Sequence, residues 1–256
     1  MWKTIRIGVL LIVLGAVALS AWLDRHVTQS WRDTLWVGLY PLNADGSDTV
    51  QRYLDTLTVQ DFAPIEEFFA REAHRYGVGA EQPVHVELYP QGRELPPALA
   101  ADPGPLAVAW WSLKLRLFAA RAAQVAGRAP PRIRLFVLYH DPAQMERAPD
   151  SHGLQKGLVG IVHVFAARAQ AGGNNIVIAH ELMHTVGASD KYDLASGAPL
   201  FPQGFADPEQ QPLYPQQRAE IMAGRRALAA HDFDMPRGLA AVMVGPQTAR
   251  EIRWRQ

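Results

Sequence analysis

His180-Glu181-Leu182-Met183-His184 is the stretch of this chain in which residue type and spacing do most to specify chemistry. Side chains four apart on an α-helix stand one above the other on the same face, so the imidazoles of His180 and His184 are placed to converge on one metal ion. Two histidines in that relation are half of a zinc site. Glu181 lies between them, too near in sequence to be a third protein ligand on the same ion. It is well placed to hold a water molecule at the metal's open position, where a carboxylate would be a general base. The flanks read as the ends of a helix. Gly172-Gly173-Asn174-Asn175 reads as a flexible approach and N-cap, Ile176-Val177-Ile178-Ala179 as a buried helix start, and Gly187 as a left-handed stop.

Continued to Asp190, the pattern His180-Glu181-x-x-His184-x-x-Gly187-x-x-Asp190 resembles that of the metzincin metallopeptidases. The resemblance implies that the chain turns at Gly187 so that a third ligand reaches the metal, and that this ligand is Asp190. Most metzincins carry histidine there; the aspartate is a departure that matches the snapalysin-like branch, and a carboxylate oxygen is an acceptable zinc ligand. Ala219-Glu220-Ile221-Met222-Ala223-Gly224 looks like the methionine turn that lies beneath the metal in that family, with Met222 as its methionine. The motifs of the resemblance cover about residues 174 to 224. Glu220 stays open as an alternative ligand, in the manner of the gluzincins, where a distant glutamate on a second helix completes the site. Asp193 and His231 trail behind it. If Asp190 is not a ligand, it and Asp193 are most simply caps of the turn after the helix. His140, His152 and His163 have no ligand spacing with one another.

The activity implied is that of a zinc-dependent endopeptidase, with Zn2+ held by His180, His184 and Asp190 and Glu181 assisting attack of water on an extended peptide. Tyr192, next to the ligand loop, would either donate to the oxyanion or simply pack. Two other classes fit the same motif: a catalytically silent, zinc-containing anchored binding module, and a zinc amide hydrolase acting on a non-protein envelope component. An intact Glu181 argues against the silent module, because metal retention alone needs only the ligands.

Elements that must position the site can be read from periodicity. Strands are expected at Thr34–Tyr40, closed by Pro41, then at Val84–Tyr89, Ile133–Tyr139 and Leu158–Phe165. Residues 43–48 read as turn-rich. A helix is expected over Val59–Tyr76, with Phe62, Ile65, Phe68, Phe69 and Ala73 on its core face and Glu66, Glu67, Arg71 and Glu72 on the other. His85 falls on the polar side of the second strand. A further helix is expected over Leu106–Val125, its pair Trp110-Trp111 covering the sheet or a groove beside it. By the family's order of elements the strand at Leu158–Phe165 would be the sheet edge along the cleft, offering free backbone groups to a peptide. The Pro- and Gln-rich segment Ser196–Gln217 reads equally as the wall of a specificity pocket and as a surface loop pinned by Phe201, Phe205 and Tyr214. The fold class expected is α+β, a metzincin-like zincin domain whose mixed, twisted sheet packs against helices, including the one that bears the histidines.

At the N-terminus Lys3 and Arg6 precede an uncharged apolar run, Ile7 to Leu23, which reads as a signal sequence or membrane anchor over 1–23, leaving 24–256 as a single metallopeptidase domain. Either outcome carries residues 24–256 out of the cytoplasm, tethered to the membrane or secreted. Lys plus Arg and Asp plus Glu balance at 25 each, with no basic stripe interleaved with aromatics, so nucleic acid is not an expected partner. The chain has no cysteine, which excludes disulfides and thiolate zinc sites.

Overall fold

The computed structural model describes residues 6, 15, 28–99, 104–122, 129–149, 151–154 and 158–255. Runs of Val, Ile, Leu and aromatic residues form β1 (Leu35–Asn43), β2 (Val84–Leu88), β3 (Ile133–His140), β4 (His152–Leu154) and β5 (Val159–Phe165), joined in one sheet of order β2-β1-β3-β5-β4. The first three pairings are parallel, and β4 runs antiparallel to β5. This is a mixed sheet with several helices, in line with the α+β expectation.

Two expectations need correction here. The strand at Leu158–Phe165 is not the sheet edge: β5 is paired on both sides, and the edge on that side is β4, which at three residues is too short to show a period. Pro41 does not close β1, which runs two residues further. The carbonyls of Leu39 and Pro41 both point toward the β2 side, where they accept from Tyr89 and Gly92, and β2 has already ended at Leu88. The amide hydrogen that proline lacks therefore costs no ladder bond. The turn expected over 43–48 is formed by residues 44–47, and it leads into a helix that periodicity had not indicated, α1 (Asp48–Leu54), capped by the Ser47 hydroxyl accepting from Val50 N.

The expected helix over 59–76 is a 3-10 turn (Val59–Phe62) followed by α2 (Ala63–Arg75). Its core face is as read, with Ile65, Phe68, Phe69 and Ala73 fully buried. Glu72, expected on the polar face, is buried instead. It accepts from Arg71, Arg75 and the amide of Val244, because the C-terminal part of the chain lies over that side of α2. Next comes α3 (Pro105–Ala122), then α4 (Ala171–Thr185), which carries the histidines, and α5 (Pro246–Glu251) near the C-terminus.

Strand alternation divides the core in two. Leu35, Val37, Leu39, Ile133, Leu135, Val137, Val162 and Val164 meet α2, α4 and the C-terminal segment in one apolar cluster. Tyr40, Leu42, Phe136, Leu138, Val159 and Ile161 meet Trp111, Leu115 and Ala119 of α3 in the other. Of the tryptophan pair only Trp111 covers the sheet; Trp110 is 60% exposed. No helix among the described residues is long and apolar enough to cross a membrane, and the expected anchor over 1–23 lies outside the described residues apart from 6 and 15.

Candidate metal centre

Helix α4 starts five residues earlier than the glycines led us to expect. Gly172 and Gly173 lie inside its first turn, and the approach is not flexible. A Cβ on Gly172 would sit 1.9 Å from the carbonyl oxygen of Arg237, so glycine is there because a backbone crosses at contact distance. Asn174 does not cap the helix; its amide exchanges hydrogen bonds with both backbone groups of Phe165, at 2.8 and 3.3 Å, riveting α4 to the end of β5. Asn175 donates to the carbonyl of Asp61. With α4 packed against β3, β4 and β5, the histidine face is held beside the sheet edge.

The helix ends as the sequence indicates. Gly187 has φ 103°, and Ala188 N returns to the carbonyl of Met183 at 3.0 Å, a left-handed reversal that only glycine adopts cheaply. That reversal brings Asp190 back over the histidines: its Oδ1 lies 3.1 Å from Nε2 of His180 and 3.1 Å from Nε2 of His184. One coordinating atom from each of His180, Glu181 and His184 also lies within 4.8 Å of the others.

The tautomers follow from what the other ring nitrogens touch. His180 Nδ1 faces the carbonyl of Ile221 at 2.9 Å and His184 Nδ1 that of Ala188 at 2.9 Å. A carbonyl only accepts, so each Nδ1 carries the hydrogen and each neutral ring turns a bare Nε2 lone pair toward Asp190. Two nitrogen lone pairs and a carboxylate oxygen at these distances repel unless positive charge, a proton or a metal cation, lies among them. Desolvation alone would raise the Asp190 carboxyl; with protons rather than a metal on the Nε2 atoms, the two imidazoles donate to it and outweigh that effect, holding it well below the ordinary carboxylate range. His180 responds in the opposite sense: burial disfavours its charged form, but Asp190, Glu181 and the Ile221 carbonyl together raise its pKa. Two imidazoles and a carboxylate, with carbonyls orienting the rings from behind, are a donor set that suits zinc.

Met222 is fully buried in the turn after β6 (Ala219–Glu220). That turn touches the site twice, through the Ile221 carbonyl under His180 and through the Met222 carbonyl, which accepts from Lys191 N at 2.9 Å. Glu220, the alternative ligand, is committed elsewhere. Its Oε2 accepts from Met222 N and Ala223 N, and its Oε1 from Gly245 N and the Thr248 hydroxyl. It ties the turn to β9 (Val242–Met243) and α5, and the structure does not bring it to the histidines.

Asp193 is a turn cap, accepting from Ser196 N and its hydroxyl. His231 is exposed in the turn between β7 (Arg226–Ala229) and β8 (Asp232–Asp234). Tyr192 lies beside the site, its ring centroid 6.2 Å from that of His180. His140 and His163, without ligand spacing in sequence, are brought to 2.8 Å by the β3–β5 pairing, but no third ligand joins them among the described residues. In the loop over 196–217 Phe205 is buried between Phe201 and Tyr214, so it pins the loop, while Phe201 stays exposed.

The sequence reading missed the residues that hold the ligand loop from behind. Glu251 accepts from Ser189 N, the Ser189 hydroxyl and the Lys191 ammonium. The available signal was only a lysine one residue after Asp190, whose burial the structure reveals. No protein-family model and no curated protein matches the chain.

Proposed function

We propose that the chain is a zinc-dependent endopeptidase of metzincin-like architecture, exported or membrane-anchored, with its catalytic part extracytoplasmic. The observation that carries this reading is the convergence of His180 Nε2, His184 Nε2 and Asp190 Oδ1 with both Nδ1 atoms committed to carbonyls. His180, His184 and Asp190 would hold the ion, which when bound supplies a Lewis acid that polarises a carbonyl and lowers the pKa of water. Glu181, buried beside them, takes the proton of the attacking water and passes it to the leaving amine nitrogen. Tyr192, whose ring lies beside that of His180, would donate to the oxyanion. An extended peptide pairs along β4, whose outer side is the sheet edge and which lies against α4.

The test has two arms. Metal analysis of the dialysed protein should find about one zinc per chain, lost in a His180→Ala, His184→Ala double variant. Glu181→Gln should retain zinc and lose cleavage of a mixed peptide library by several orders of magnitude, since proton transfer and activation of water both go. Zinc retention without cleavage by the wild-type chain, together with equal capture of a partner by both proteins, would establish a binding module instead.

A further inference from the structure

Helix α3 has two apolar faces. Trp111, Leu115 and Ala119 are buried on the sheet. On the opposite side Leu106, Trp110, Leu113 and Leu117, spaced by four, three and four, are 87, 60, 48 and 52% exposed. At 3.6 residues per turn these four fall in one stripe along the helix. The charged residues of α3 are Lys114, Arg116 and Arg121, all exposed, with no acidic residue in the helix. Lys114 and Arg121 border the stripe on one side and Arg116 on the other.

A leucine and tryptophan stripe with cations along both margins is complementary to a surface that is apolar inside and negatively charged at its rim. We propose that the outer face of α3 lies on a membrane surface rich in anionic lipid, the leucines and Trp110 entering the headgroup boundary and Lys114, Arg116 and Arg121 meeting lipid phosphates. The helix lies on the bilayer and does not span it, being too polar to cross. Stable attachment takes two signals, and the apolar run over 7–23 supplies the other. Because α3 and α4 pack on opposite faces of the sheet, the docking turns the metal-bearing side of the sheet away from the bilayer. The attachment itself is independent of whether the site hydrolyses peptides.

The absence of cysteine allows a local readout. The full chain carrying Ala120→Cys, an exposed position at the edge of the stripe, is labelled with an environment-sensitive fluorophore and mixed with vesicles of phosphatidylcholine alone or with added phosphatidylglycerol. The label should brighten and shift to the blue only with the anionic vesicles. Exchanging Lys114, Arg116 and Arg121 together for Gln should weaken docking on the order of a hundredfold, each cation being worth about fivefold. Three results overturn the proposal: no response to anionic vesicles, an equal response to neutral ones that survives the Gln exchange, or a response that grows with protein concentration without lipid. The last would mean that a second copy covers the face.

Discussion

The ammonium of Lys191 rests on both carboxylate oxygens of Glu251, at 3.0 and 2.8 Å, and the same carboxylate holds the amide and hydroxyl of Ser189. These bonds straddle Asp190, so a residue five from the C-terminus fixes the loop that carries the third metal-facing oxygen. Glu251→Gln keeps the size but loses the charge and one acceptor, and should lower zinc affinity by about tenfold, as loss of an outer-shell partner does. Competition with a chelator of known affinity measures it. An affinity equal to wild type would show that Asp190 does not depend on the clamp.

The same pair predicts a pH dependence. Burial would raise the Glu251 carboxyl above its ordinary 4.5, but Lys191 and Ser189 outweigh it, so in the folded protein it titrates lower. A depressed acid contributes its stability above the unfolded pKa and loses it as pH falls through the folded value. Melting temperatures of wild type and Glu251→Gln should therefore differ near neutrality and converge below about pH 4. A constant gap across that range would assign the difference to something other than this ionisation.

Asp190 and Glu220 separate by what each carboxylate touches. Asp190→Ala should cut zinc affinity by more than about 100-fold, beyond the effect of losing an outer partner, while leaving the fold intact. Glu220→Ala should do the reverse, lowering stability and leaving the zinc content of the folded fraction unchanged. Metal analysis of gel-filtered variants decides between them, and the opposite order would return Glu220 to the ligand set.

Glu220→Gln is the sharper probe of the buried turn. All four partners of Glu220 are donors, so a carboxamide must press its NH2 against N–H or O–H groups. The expected cost is about 2–3 kcal/mol, or a melting temperature lower by roughly 5–10 °C. Wild-type stability in this variant would mean that the turn repacks.

Gly172 and Gly173 give a paired test in α4. Helix propensity favours alanine over glycine by about 1 kcal/mol at either position. A Cβ at Gly173 meets nothing nearer than Met235 Sδ at 3.6 Å, so Gly173→Ala should stabilise by up to about that amount. At Gly172 the Arg237 carbonyl stands in the way, and Gly172→Ala should destabilise by about 1–3 kcal/mol. Denaturant unfolding measures both; equal effects would refute the close crossing.

Much of this molecule was decided by local pattern. Alternation and helical spacing placed β1, β2, β3, β5, α2 and α3, and the His180–His184 spacing put two imidazoles on one face, because side-chain direction in a helix or strand follows from backbone geometry within a few residues. Gly187 marked the reversal for the same reason, since a positive φ is a single-residue property. What local pattern does not carry is which distant segments lie against each other. The edge strand β4 is three residues long, Glu72 reads as an ordinary polar position, Glu220 as an alternative metal ligand, and Gly172 as part of a flexible approach to the helix. Glu72, Glu220 and Gly172 are each decided by a partner far along the chain, the amides of Val244 and Gly245 and the carbonyl of Arg237, while β4 is decided by its pairing with the neighbouring β5. The choice of Asp190 over Glu220 at the histidines belongs with them, because a carboxylate's role depends on whether donors or lone pairs surround it, and only the tertiary packing sets that.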